Sequence, residues 1–138
     1  MALTPTLTLS EFESRKGNIS ARDLEEVMTR AARQLNVFFS VGGNVLFGTD
    51  VGYTDIFDTT EEFKWMSRAG MNYEQILASL TTTPARRFGY SEHTGIIAKG
   101  YDADLVVLKK DPVKDATAFA NVRYTIREGM VIYDSAAQ

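Results

Sequence analysis

The sequence predicts an α/β chain, barrel-like to about residue 90 and built of short strands beyond it, and three observations carry that expectation. The apolar run Asn44-Val45-Leu46-Phe47 breaks off in Gly48-Thr49-Asp50, as a buried strand of a (β/α) barrel does when it delivers one acid at its C-terminal tip. A helix-period segment separates that run from an earlier short apolar run, and the order strand, helix, strand fits a parallel sheet with a helical crossover. After Gly89 the pattern changes to brief β-branched runs divided by turn residues.

Taken in order, Pro5-Thr6-Leu7-Thr8-Leu9 alternates with period two, so residues 5–9 are expected to be a strand with Leu7 and Leu9 on one face. Ser20 with Asp23 makes a capping-box-like helix start. Leu24, Val27, Met28, Ala31, Leu35 and Phe38 then recur at helical spacing as one apolar stripe. Gly42-Gly43 stops that helix, and residues 44–47 form the next strand. Past a loop holding Gly52, Tyr53 and Asp55, Thr59 with Glu62 opens a second helix that Gly70 closes. Asn72 with Gln75 opens a third, buried through Ile76, Leu77 and Leu80. At Thr83-Pro84 the helix breaks and restarts, with proline in the first turn and Thr83 as the cap.

In the β part, residues 105–108 are an apolar strand ended by Asp111-Pro112. Val122, Tyr124 and Ile126 alternate with Arg123, Thr125 and Arg127, and Glu128-Gly129 turns the chain into residues 130–133. Glycine supplies the positive φ of a two-residue hairpin turn there. The expected division is residues 1–90 and residues 91–138.

Composition narrows the function classes. The 138 residues suit one domain with a real core, whereas a closed (β/α)8 barrel takes about 250. A net charge of −3, spread without long runs, favours neither a nucleic-acid nor a membrane partner. Without Cys there are no disulfides, thiolate metal sites or Cys nucleophiles. The N-terminus lacks a basic segment and an apolar core, and no apolar run approaches the roughly 20 residues that span a bilayer. The expectation is a soluble, cytoplasmic chain.

Asp50 in Phe47-Gly48-Thr49-Asp50, the run Leu80-Thr81-Thr82-Thr83-Pro84-Ala85-Arg86-Arg87-Phe88-Gly89, and the segment from Gly95 to Leu108 together resemble the end of a metal-dependent amidohydrolase. The likeness is to the imidazolonepropionase-like and prolidase-like branch of that superfamily. It implies the last two strands of a (β/α)8 barrel with their helices, then a small β part of a composite sandwich whose other strands come from the far end of the chain. It also implies that Asp50 is both metal ligand and catalytic proton shuttle, in hydrolysis of a non-peptide or dipeptide-like C–N bond by metal-activated water. The cofactor so implied is a divalent metal, zinc, and the substrate a small amide or lactam.

The departure from that pattern is large. There is one His and no His-x-His, and one Asp cannot hold a catalytic zinc that takes three protein ligands. The chain is therefore expected to be a C-terminal fragment that holds no metal alone, self-associates through its uncovered strands, or pairs with a missing N-terminal chain. Its alternative is a non-catalytic remnant or the partner-binding subunit of a split amidohydrolase.

The other polar candidates are weaker. His93, in Ser91-Glu92-His93-Thr94, reads as a solvent-facing turn residue and not a ligand. Arg86 and Arg87 suit helix capping or surface ion pairs better than a carboxylate clamp. Tyr53 and Asp55 lie where barrel loops line a substrate mouth, but loops of this composition are common. Phe63 and Trp65 are expected in the core. Asp102 and Asp104, in Lys99-Gly100-Tyr101-Asp102-Ala103-Asp104, look like turn chemistry.

Overall fold

The computed structural model describes residues 1–137. It is α/β: β1 (Ala2–Leu3), α1 (Leu7–Lys16), α2 (Ala21–Ser40), β2 (Asn44–Val45), α3 (Thr60–Arg68), α4 (Tyr73–Leu80) and α5 (Thr82–Phe88) are followed by β3 (Leu105–Leu108), a 3-10 helix (Ala116–Ala120), β4 (Val122–Arg127) and β5 (Met130–Asp134). Strands β1 and β2 pair in parallel, Ala2 with Asn44 and Leu3 with Val45, so the strand, helix, strand order holds with two helices in the crossover.

Residues 5–9 are not the expected strand. The strand is Ala2–Leu3, and Leu7 already lies in α1. The alternation of Thr and Leu is too short to distinguish the two periods, and the deciding contact comes from far along the chain. Both carboxylate oxygens of Glu62, on α3, accept hydrogen bonds from the first α1 amides, Leu7 N at 3.0 Å and Thr8 N at 2.7 Å. A helix start carries amides without intrahelical partners, and an acid placed there satisfies them and favours the helix dipole. Glu62 is fully buried in this role, so it does not form the expected capping pair with Thr59; Thr59 is still the N-cap of α3 but without a side-chain bond, and Asp58 before it accepts from Thr60 N at 2.8 Å.

The expected long helix is α2, and Ser20 caps it by accepting from Asp23 N at 3.1 Å. Met28, Ala32 and Leu35 are its buried line, flanked by Leu24, Ala31 and Phe38, whereas Val27 is 39% exposed and belongs to the edge of the stripe. Strand β2 is shorter than residues 44–47. Leu46 N still reaches Leu3 O at 2.9 Å, but Pro5 has no amide and the chain turns at Thr6, so the ladder ends and Phe47 N bonds Ser79 O of α4 at 3.0 Å.

Asn72 and Gln75 make a reciprocal capping box at α4, with both bonds at 2.9 Å. Ile76 is fully buried there, while Leu77 is 42% exposed, because it points away from the face that meets α3. Helix α5 begins one residue before the expected cap, so Thr83 is helical and the capping position falls to Thr81, whose hydroxyl donates back to Leu77 O.

The C-terminal strands form an antiparallel meander in the order β3-β4-β5. Arg127 pairs with Met130 around Glu128 and Gly129, whose φ values of 52° and 79° are the two positive angles of a type I′ hairpin turn. Asp104 accepts from Glu128 N at 2.8 Å and ties this turn to the start of β3.

The core joins both parts of the chain. Phe63 of α3 stacks on Phe47 at 4.6 Å between ring centroids and meets Phe119 of the 3-10 helix at 5.4 Å. Phe63 and Trp65 are 3% and 5% exposed, as expected of core residues. Among the described residues, no helix is long and apolar enough to cross a membrane.

Candidate active site

Asp50 lies beyond the C-terminal end of β2, which stops at Val45, on the segment that continues through Leu46 and Phe47. Thr49 before it is buried and Asp50 itself is exposed, so the strand tip carries the acid out of the core within one residue. Its φ is 57°, in the left-handed region that Asp tolerates better than most residues. A tight turn follows. Tyr53 N and Thr54 N both donate to Asp50 O, at 3.2 and 3.4 Å, and Gly52 N donates to Thr54 O at 3.0 Å.

That turn is made by backbone groups. Among the described residues the Asp50 carboxylate makes no hydrogen bond or ion pair, which leaves both oxygens free for another group. An Asp that only capped the turn would have spent its side chain on an amide.

Tyr53, 63% exposed, stands on the same end as Asp50. The Lys16 ammonium at the end of α1 lies 5.3 Å from its ring centroid and 4.4 Å from that of Phe12. Glu13 accepts from Lys16 at 2.6 Å, and this bond holds the Glu13 carboxyl below the usual carboxylate range and raises Lys16. The cation beside the loop is thus matched by its own acid. Asp55 is exposed on the same loop.

The remaining candidates are elsewhere in the chain. His93 is exposed in a turn, its amide donating to Tyr90 O at 2.9 Å and its carbonyl accepting from Asp102 N at 2.8 Å. Arg86 and Arg87 are exposed in the last turn of α5 and take part in no ion pair among the described residues. Among those residues no three His, Cys, Asp or Glu side chains gather where a metal ion could be held. Asp50 alone does not fit a three-ligand catalytic site.

A groove of about 590 Å³ lies between α1, α2 and α3, with Trp65 and Ile56 among its lining residues. Its charges are spent on one another: Arg15 pairs with Glu11, Lys64 with Glu61, and Arg68 with Glu25. The indole of Trp65 donates to Glu11 at 2.9 Å. This concavity belongs to the helical side and not to the strand tip.

Over residues 9–132 the sequence matches the amidohydrolase family. The chain belongs to that family. A 44-residue stretch is 46% identical to amidohydrolase tasK of Hapsidospora irregularis, covering 32% of this chain and 4% of that protein. Among solved structures, a Xaa-Pro dipeptidase with bound methionine in its active site superposes with a TM-score of 0.83 at 25% identity, over 98% of this chain and 35% of that one. A putative prolidase from Bifidobacterium longum gives 0.71 at 28% identity, over 96% of this chain and 35% of that one. The amidohydrolase chain described here therefore spans about a third of the length of the solved relatives it matches.

Sequence reasoning missed Glu62 as the group that starts α1. A signal was present: Glu62 shares a helix face with Met66 and Ala69, both buried, and a carboxylate on a buried face must find donors.

Proposed function

We propose that this chain contributes the strand-tip carboxylate Asp50 to a hydrolase acting on non-peptide or dipeptide-like C–N bonds of a small amide or lactam. The observation that carries the reading is Asp50 itself, exposed at the end of β2 with its carboxylate unspent, in a chain matched to the amidohydrolase family over residues 9–132. In this role Asp50 takes a proton from the attacking water and returns it to the departing nitrogen, a service worth about 10²–10⁴-fold in rate. Strands β1 and β2 with their helices are read as the last two strands of a (β/α)8 barrel, residues 1–90, and residues 91–138 as the small β part of a composite sandwich.

The family is generally metal-dependent, and a divalent metal, zinc, is proposed for the assembled enzyme, where it would activate the water. Asp50 would be one ligand, and the others would come from residues outside these 138. The unfilled ligand set equally supports a second reading, in which the chain is a non-catalytic, partner-binding product. Both readings expect a cytoplasmic chain that self-associates through the open edges of β1 and β2 when no complement is present.

Metal analysis, amide and lactam hydrolysis and a sizing column on the purified chain test this directly. The expected result is zinc well below one equivalent, no turnover, and oligomers. A monomer with one tightly held zinc and measurable hydrolysis would overturn the reading of an incomplete site. Sequencing the coding region upstream then separates the two readings: an in-frame His-x-His supports the enzyme.

A further inference from the structure

Glu62 is the one fully buried carboxylate among the described residues, and nothing in the proposed chemistry uses it. Its oxygens reach across 54 and 55 positions to the amides of Thr8 and Leu7. The turn those amides terminate, Thr4-Pro5-Thr6, is tightly drawn. Thr6 has a φ of 46° although it is β-branched, a conformation that must be held by its surroundings. The same turn lies against the segment that leads to Asp50: the Thr4 methyl packs over Gly48, where a Cβ would fall 2.5 Å from it. Beside the carboxylate, Thr8 Oγ1 is buried with no well-formed hydrogen bond of its own.

We propose that Glu62 is a positioning residue: by anchoring the first amides of α1 it holds the β1–α1 turn against Gly48, and so sets the segment from which Asp50 projects. The proposal rests on the reading of Asp50 for its functional meaning, but its geometry is testable without turnover. A carboxylate suits the task because it offers two acceptors to two adjacent donors that burial denies to water. A side-chain amide keeps one acceptor for those donors and brings an N–H that Thr8 Oγ1 can accept. An alanine leaves both donors unpaired in the core.

The test is amide exchange and amide chemical shifts on the full chain. In Glu62→Ala, exchange protection at Leu7 and Thr8 is expected to fall at least about tenfold, the scale of a buried donor left unpaired, and the signals of Gly48, Thr49 and Asp50 to move. Glu62→Gln should restore both sets towards wild type. Leu35→Val, a core change in α2, serves as control and should lower thermal stability without moving Gly48–Asp50. If Glu62→Ala does not fold, Glu62→Asp asks the same question, since its shorter side chain draws the carboxylate back from both amides; Leu7 and Thr8 should lose protection and Gly48–Asp50 should move. Unmoved Gly48–Asp50 signals in Glu62→Ala or in Glu62→Asp, or a Glu62→Gln variant no better than Glu62→Ala, would overturn the proposal. A failure of the Asp50 reading would show separately, as turnover of the assembled enzyme surviving Asp50→Asn while these shifts behave as expected.

Discussion

Truncating Phe63 should unfasten the helical part from the C-terminal strands. The ring is 3% exposed and lies between Phe47, at 4.6 Å and 17° from parallel, and Phe119, at 5.4 Å and 36°. Phe→Ala at such a site costs about 3–5 kcal/mol from lost transfer and the cavity left behind. Against a net stability of about 5–15 kcal/mol for a domain of this kind, that is roughly a fifth of the total or more. With a urea slope of about 1–3 kcal/mol/M, the midpoint should fall by more than about 1 M. The milder Phe63→Leu keeps most of the volume and loses chiefly the ring geometry, worth about 0.5–1.5 kcal/mol per aromatic pair. Circular dichroism and Trp65 fluorescence should report one common transition, since Trp65 shares α3 with Phe63. Coupling of Phe63→Leu with Phe119→Leu in a double-mutant cycle should be about 0.5–1.5 kcal/mol. A loss below about 1 kcal/mol for Phe63→Ala, or zero coupling, would refute the shared core.

At the hairpin, Gly129→Ala should destabilise by about 1–2 kcal/mol, because the new Cβ has room, 3.9 Å from Ala103, but φ is positive; Glu128→Gly should do the reverse by a smaller amount, and both are read from urea melts. Burial pushes the Glu62 carboxyl above its ordinary 4.5, with the bonds from Thr8 and Leu7 pulling the other way. The cations on α1 and α3, Arg15, Lys64 and Arg68, are paired with Glu11, Glu61 and Glu25. A raised folded pKa means Glu62's contribution is complete below the ordinary value and is lost as pH rises through the folded one. Glu62→Gln, which mimics the protonated acid, should therefore gain on the wild type as pH rises above 4.5 in urea melts across pH; a constant or shrinking difference would contradict the sign.

The parts legible in the sequence were those whose signals are local. Ser20 before an apolar stripe located α2, Asn72 with Gln75 located α4, and Glu128-Gly129 between alternating runs located the β4–β5 hairpin turn. Residues 5–9 failed for the opposite reason: α1 starts where Glu62 supplies its acceptor, and no short window contains both ends of that bond. The start of α3 stayed at Thr59, but its side chain makes no capping bond, because the neighbouring Asp58 took the first amide. Val27 and Leu77 have the right period but sit at the margin of their stripes, where a neighbouring element decides burial. Asp50 was visible as a strand-tip acid; that its carboxylate is left unspent depends on the backbone-made turn of residues 50–54, which composition does not reveal.

The central claim is that Asp50 is the working carboxylate of an assembled amidohydrolase. The most direct measurement is kcat of Asp50→Asn in the enzyme formed once the outside ligands are supplied, alongside metal content and melting temperature. The account predicts an unchanged fold and a kcat lowered by about 10²–10⁴-fold, since an amide cannot take the proton. Wild-type kcat in that variant, with its metal content unchanged, would contradict it.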